Sequence, residues 1–321
     1  MRGAAAIGRG LAAARAPRAI EPGEHLHVIG AAGAGASAAA ALAHDAGAVV
    51  SACDPGAPSP YTEALSARGI EVVDHHDASH VSGGARPPTR LAVTKALTSV
   101  DSDHPELRAA REAGVPIEAW QQTVADAAQS QGGRLVAIAG THGKSTSSGW
   151  LVHLLAGAGR DPAAFVGALL PAAVTGGAPA TARWGRGAAF VVEADEYAGN
   201  FDAYRPALAV VLNAEWDHPD VFADRDAVVD AFERWLRSPG AARREVIIDT
   251  TDPGGQVLAH RLADWGERMI RVDPATAELP PLRLAGAHNT ANAACVAAAA
   301  RRLGLDEAEI EAGLRSFEGV G

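Results

Sequence analysis

Residues 135–146 read Leu-Val-Ala-Ile-Ala-Gly-Thr-His-Gly-Lys-Ser-Thr, and this stretch decides the fold. The apolar run Leu135 to Ala139 predicts a strand buried on both faces. Gly140-Thr141-His142-Gly143-Lys144-Ser145-Thr146 then turns the chain into a helix expected from Ser145 to Ala158. A glycine-containing turn at that junction lets backbone N–H groups curl around phosphate oxygens, and the helix N-terminus adds a favourable dipole. Lys144 supplies positive charge for the outer phosphates and Ser145 a hydroxyl for Mg²⁺. The general pattern calls for glycine at position 138, where Ile138 stands, so the loop is a shorter variant. Among 28 basic residues only Lys95 and Lys144 are lysines, which suits Lys144 to a place where a compact ammonium is needed and a planar guanidinium would not fit. The expected ligand is ATP with Mg²⁺, held by Gly140, Thr141, Gly143, Lys144, Ser145 and Thr146.

Downstream, Glu193-Ala194-Asp195-Glu196 ends a strand expected over Ala189 to Glu193. Ligands of open α/β sheets bind at that edge, and Mg²⁺ prefers one or two carboxylates plus phosphate oxygens. Glu193 is therefore a candidate metal ligand beside Ser145, although an isolated acidic cluster at a strand end is more often a solvated turn. Asn213-Ala214-Glu215-Trp216-Asp217-His218 follows another strand, Ala207 to Leu212, and offers His218 for a metal or a substrate oxygen. In Gly286-Ala287-His288-Asn289-Thr290-Ala291-Asn292, Asn289 and Asn292 stand three apart and share a helix face, where two amides can read a purine edge; helix capping is the plainer reading.

Upstream, a strand at His25 to Ile29 leads into Gly30-Ala-Ala-Gly33-Ala-Gly35-Ala-Ser37 and an Ala-rich helix, with Asp54 after the next strand, Ala48 to Ala52. Gly33, Gly35 and Ala38 fit the dinucleotide fingerprint, but a glycine turn on a helix N-terminus serves any diphosphate, NAD or a UDP-sugar alike. Further alternation of strands and helices continues to the polar stretch Gln129 to Gly133, a domain boundary. The expectation is an α/β protein: a Rossmann-like parallel-sheet domain over 25–130, then a P-loop ATPase-type α/β domain over 134–321. Asp74-His75-His76-Asp77 with His80 is read as a surface loop, because adjacent residues rarely converge on one ion.

A net charge of -10 disfavours a nucleic-acid partner. Cys53 and Cys295, far apart, indicate neither a disulfide framework nor a structural zinc, and suit a reducing cytoplasm. The first twenty residues carry Arg2, Arg9, Arg15 and Arg18 without an acid before Glu21, yet lack an apolar run for a signal or membrane segment. They are expected to form a frayed or loosely docked extension. Nothing in the sequence fixes the oligomeric state.

Taken in order, these motifs resemble the Mur ligase family. The matching residues are Gly30 to Ser37, His104-Pro105-Glu106 where the family commonly has Asn-Pro-Glu, Gly140 to Thr146, Glu193 to Glu196, Asp217-His218, Gly286 to Asn292 and the closing Phe317-Glu-Gly-Val-Gly321. The resemblance spans 25–321. It implies an ATP-dependent, ADP-forming amide ligase of peptidoglycan precursor synthesis acting on UDP-N-acetylmuramate and an amino acid or peptide. Lys144 and His142 would be catalytic, and Ser145, Glu193 and His218 would hold Mg²⁺. Asn289 and Asn292 would contact adenine; Gly30, Gly33, Gly35, Ser37 and Asp54 would hold the UDP-sugar. No lysine follows Lys144, which within the family favours the alanine-adding or murein-peptide-recycling branches over those using a carbamylated lysine. The sequence departs in its alanine-rich first loop and in Thr94-Lys95-Ala96, where Ser-Ser-Ala is usual. The family also has a C-terminal domain beyond the point where Gly321 falls, so residues 1–321 alone are expected to bind nucleotides but turn over poorly. Two other readings stand beside this one: a non-catalytic nucleotide-binding module, and an NAD-dependent dehydrogenase, which leaves the Gly140 loop unexplained.

Overall fold

The structure, a computed structural model, describes residues 7–83, 86–101 and 103–321; Arg2 lies outside them. Contacts divide the chain into two units, one running to Gly132 and joined by residues 167–184, the other comprising 133–166 and 185–321.

The first unit runs β1 (His25–Ile29), α1 (Ala34–Asp45), β2 (Val49–Cys53), α2 (Glu63–Ser66), β3 (Val72–Val73), α3 (Ser79–Ser82), β4 (Arg90–Val93), α4 (Lys95–Val100), α5 (Pro105–Ala113), β5 (Ile117–Ala119) and α6 (Trp120–Gln131). Its sheet has the order β3-β2-β1-β4-β5. All four pairings are parallel, β1 running in register with β2 from His25↔Val49 to Ile29↔Cys53. The strands bury apolar side chains on both faces, as a parallel sheet requires. One face packs Val28, Ala52 and Ala92 against the alanines of α1 and Leu65 of α2; the other packs Ile29, Leu91 and Val93 against Val81 of α3 and Leu107 of α5. The small side chains of α1, buried from Ala36 to Ala43, let that helix lie close on the sheet.

One expectation fails in this unit, and one long helix is added to it. The N-terminal segment is docked: Ala12 N–H bonds Ile117 O at 2.8 Å, and Ile20 is buried. Arg15 pairs with Glu118 at 2.8 Å and Asp126 at 2.6 Å, and Arg90 pairs with the same two acids. Helix α6 escaped the sequence reading because its buried face carries Gln121, Gln122 and Asp126, whose polarity breaks the apolar pattern. Both misses have one cause. A buried carboxylate is tolerated only when paired, so the strap that supplies Arg15 cannot be loose.

The second unit contains β6 (Arg134–Ala139), α7 (Lys144–Gly157) and the first half of β7 (Ala163–Leu170); after the rest of β7, α8 (Ala172–Thr175) and β8 (Ala180–Arg183) it resumes with β9 (Ala189–Ala194), β10 (Leu208–Val211), α9 (Arg225–Leu236), β11 (Glu245–Asp249), α10 (Pro253–Arg261), β12 (Met269–Val272), α11 (Ala287–Arg302) and α12 (Glu307–Ser316). The strand order is β12-β11-β10-β6-β9-β7-β8. Pairings from β12 through β7 are parallel. The α7 helix packs on α11 and α12, and α9 packs on α10. Residues 167–184, expected within the second domain, group with the first unit, where Thr181 Oγ1 donates to Ala34 O at 2.9 Å. The α/β class, the Rossmann-like sheet and the phosphate-loop unit agree with expectation; β7, β8, α10 and β12 are additions. Among the described residues no helix is long and apolar enough to cross a membrane.

Candidate active site: the phosphate loop and the glycine loop

Strand β6 lies between β10 and β9, so the loop at its C-terminal end is flanked by the ends of both neighbours. Gly140 has φ +151°, and a Cβ there would stand 3.0 Å from Leu212 Cβ. Gly143, the residue before α7, has φ +80°, and a Cβ would meet the Asn292 amide nitrogen at 2.6 Å. Only glycine fits either place. Asn213, directly after β10, braces the loop: its Oδ1 accepts from His142 N–H at 2.8 Å and its Nδ2 donates to His142 O at 3.1 Å. Thr141 Oγ1 donates to Glu215 O and accepts from Glu215 N–H, both at 3.0 Å.

Lys144 is folded inward over this loop. Its Nζ donates to Gly140 O at 2.7 Å and Thr141 O at 3.2 Å, and lies 3.1 Å from Glu196 Oε2 and 3.5 Å from Asp195 Oδ1. Burial pushes the Glu196 carboxyl above its ordinary range, Asp195 adding to this while Lys144 opposes it. Ser145 Oγ donates to Glu193 Oε1 at 3.1 Å, which brings the two expected oxygen ligands together. His218 falls with Asp195 and Glu196, donor atoms of the three lying within 4.8 Å of one another. It sits at φ +56°, edge-on to Tyr197 with centroids 4.7 Å apart. A left-handed non-glycine residue in such a position is strain held by its surroundings.

The remaining expected residues divide. Thr146 is half-buried in the first turn of α7, and the His142 side chain is 64% exposed, 3.8 Å from Glu215. Asn292 is buried against Gly143 of the phosphate loop, while Asn289 donates to Ala285 O at 2.9 Å. Asn213, Asp195 and Glu196 join the expected residues at this loop. Their signal was position alone, immediately beyond strands flanking the loop strand.

In the first unit the Gly30–Ser37 turn joins β1 to α1 where the strand order reverses between β1 and β4. Gly30 adopts φ +88°, and Gly33 N–H bonds Gly30 O at 3.1 Å. Asp54 supports the turn, accepting from Ala32 N–H at 2.9 Å and from Gly56 N–H at 2.7 Å. Gly35 and Ser37 work from behind it. A Cβ on Gly35 would lie 2.2 Å from the Trp120 ring, and the buried Ser37 hydroxyl donates to Ala34 O at 3.0 Å.

A strand-loop-helix unit of this geometry, with acids at the adjoining strand ends, defines a phosphate-loop α/β protein carrying a Rossmann-like unit before it. The sequence profile described as Mur ligase family, catalytic domain, matches residues 25–131. The UDP-N-acetylmuramate--L-alanine ligase of Roseiflexus sp. (strain RS-1) is 34% identical over 92% of this chain and 68% of its own length; that of Clavibacter michiganensis is 35% identical over 92% and 63%. Among solved structures, the UDP-N-acetylmuramate:L-alanyl-gamma-D-glutamyl-meso-diaminopimelate ligase of Neisseria meningitides superposes with TM-score 0.77 at 25% identity, covering 93% of this chain and 99% of that one. The UDP-N-acetylmuramate-alanine ligase of Thermotoga maritima shares the fold, with TM-score 0.73 at 24% identity over 92% and 69%. The chain belongs to the Mur ligase family. It spans 52% to 68% of the length of the curated relatives it matches first.

Proposed function

We propose that this chain carries the nucleotide sites of an ADP-forming ligase that joins L-alanine to UDP-N-acetylmuramate. The observation that carries the reading is Lys144, held over Gly140 and Thr141 beside the acids of the β9 end. In the proposed reaction Lys144 stabilises charge on the phosphoryl group of ATP as it passes to the lactyl carboxylate. The amine then attacks the acyl phosphate and releases phosphate. Backbone N–H groups of Gly140 to Thr146 hold the triphosphate, Asn292 and Asn289 border the adenine, and His142 faces the carboxylate. The Gly30 to Gly35 turn, with Asp54 and Ser37 supporting it, takes the UDP portion.

The donors at the β9 edge fit Mg²⁺: a hydroxyl 3.1 Å from a carboxylate at Ser145 and Glu193, with Asp195, Glu196 and His218 alongside. Mg²⁺, when bound, supplies charge neutralisation to the triphosphate. Ser145 and Glu193 would hold it, with His218 as a further ligand. A second reading, a ligase that recycles a murein peptide, is supported by the likeness to the Neisseria structure.

Calorimetric titration with ATP–Mg²⁺ and with UDP-N-acetylmuramate, for wild type and Lys144→Ala, tests the site. Loss of a charged hydrogen-bonding partner is expected to weaken ATP by about tenfold or more while leaving the UDP-sugar unchanged. Equal ATP affinity in the two proteins would exclude the assignment. Assaying ADP release from UDP-N-acetylmuramate and ATP with L-alanine against a free murein tripeptide as the amine separates the two ligase readings.

A further inference from the structure

On the α3/α5 face of the first unit, behind the strand ends that carry Gly30 and Asp54, six side chains with metal-binding atoms converge. His27 comes from the middle of β1, Cys53 from the end of β2, His76 from the loop after β3, His80 from α3, and His104 and Glu106 from the start of α5. Donor atoms of His27, Cys53, His80 and Glu106 all lie within 4.8 Å of one another, and so do those of His76, His104 and Glu106. Cys53 Sγ is 3.4 Å from His27 Nε2 and 3.2 Å from Glu106 Oε2, and His27 Nε2 is 3.3 Å from Glu106 Oε2. Metal–nitrogen bonds of about 2.0–2.1 Å and metal–sulfur bonds of about 2.3 Å give tetrahedral ligand-to-ligand edges of roughly 3.3–3.6 Å, close to these separations.

We propose that His27, Cys53, His80 and Glu106 form a structural site for a divalent transition metal, best suited to Zn²⁺, that pins α3 and α5 to the sheet.

The donor set carries the choice of ion, since thiolate with imidazoles selects Zn²⁺ over Mg²⁺ or Ca²⁺. Charge does too: one thiolate and one carboxylate neutralise a dication in a place where Cys53, His27 and Glu106 are all buried. The outer contacts match those of metal-bound imidazoles. His27 presents Nε2 to the cluster while its Nδ1 is held by Ser51 Oγ at 2.8 Å. His104 supplies an independent sign of an incomplete network: it is 2% exposed, neither ring nitrogen has a hydrogen-bond partner among the described residues, and its ring stands edge-on to His76 with centroids 4.4 Å apart. Glu106 joins the elements of the cluster, lying 2.8 Å from His80 Nδ1 and accepting from Asp77 N–H at 3.1 Å and from the Cys53 thiol. Burial alone would raise its carboxyl, but the bonds and charge of His27, with His80 and Cys53, bring it down to about 2.

The full chain, treated with chelator and dialysed, is titrated with Zn²⁺ and separately with Co²⁺. Binding of one ion per chain, a higher Tm with Zn²⁺, and a near-ultraviolet thiolate-to-cobalt band with intense visible bands are expected. Cys53→Ser removes the thiolate band. His80→Ala changes a half-buried side chain on a four-residue helix, guards against a Cys53 variant that fails to fold, and weakens Co²⁺ by about tenfold or more. His218→Ala keeps the band, which separates this cluster from the carboxylates beside the phosphate loop. A wild-type cobalt spectrum without the thiolate band, or equal Zn²⁺ affinity in wild type and His80→Ala, overturns the proposal.

Discussion

Gly143 holds the phosphate loop in a shape that no L side chain shares cheaply. Its φ of +80° is left-handed, and the Asn292 amide fills the space a Cβ would need. Gly143→Ala is expected to lower stability by about 1–3 kcal/mol in chemical denaturation and to weaken ATP–Mg²⁺ in the same preparation. An unchanged denaturation midpoint would mean that the loop has another accessible conformation. Trp120 makes the parallel point for the first unit. Its ring occupies the space beside Gly35, so this glycine serves helix packing behind the turn, a role that the fingerprint spacing alone does not distinguish from phosphate approach.

The element scale is governed by which segments close the two units. Phe317, just past α12, is buried and stacks on Trp150 of α7 with ring centroids 5.0 Å apart, so the tail bears on the helix that starts at Lys144. Removing that ring by Phe317→Ala is expected to cost about 3–5 kcal/mol, measured by urea unfolding, with ATP affinity falling as α7 loosens. The N-terminal strap ends at Glu24, which pairs with Arg18 and with the buried Arg90 at 3.0 Å. Burial opposes ionisation of Glu24, but the Arg18 bond and the Arg90 charge outweigh it and lower its pKa from 4.5. A lowered acid adds stability that is present above pH 4.5 and lost as the pH falls through 4.5 toward the folded value. The stability difference between wild type and Glu24→Gln should therefore shrink on acidification below pH 4.5 and stay level above it. A difference independent of pH across that range would show that Glu24 acts through packing alone.

For the whole molecule, a ligand that binds only the folded state stabilises it by mass action. ATP–Mg²⁺ at about a hundred times its Kd should add roughly 2.7 kcal/mol to the unit that binds it. Thermal unfolding should show that gain in wild type and lose most of it in Lys144→Ala at the same nucleotide concentration. A gain of equal size in both would place the nucleotide elsewhere.

Local order was legible wherever a single stretch carries its own instructions. The runs Leu135 to Thr146 and His25 to Ser37 state strand, glycine turn and helix in sequence, because buried strand, positive-φ turn and helix start each have a composition that neighbouring residues share. So the α/β class, two sheets and the phosphate loop follow from the chain alone. Tertiary structure decided the rest, where partners are distant in sequence. Asp126 needs Arg15 and Arg90 to be buried, and no pattern within α6 announces them. Asn213 and Asn292 reach the phosphate loop only because β10 lies beside β6 and α11 packs on α7. His76 and His80 look like a solvated loop until His27, Cys53 and Glu106 are brought beneath them. Hydrophobic period and turn chemistry are properties of neighbouring residues, whereas the pairing of buried charges and donors depends on which strands and helices the folded sheet makes adjacent.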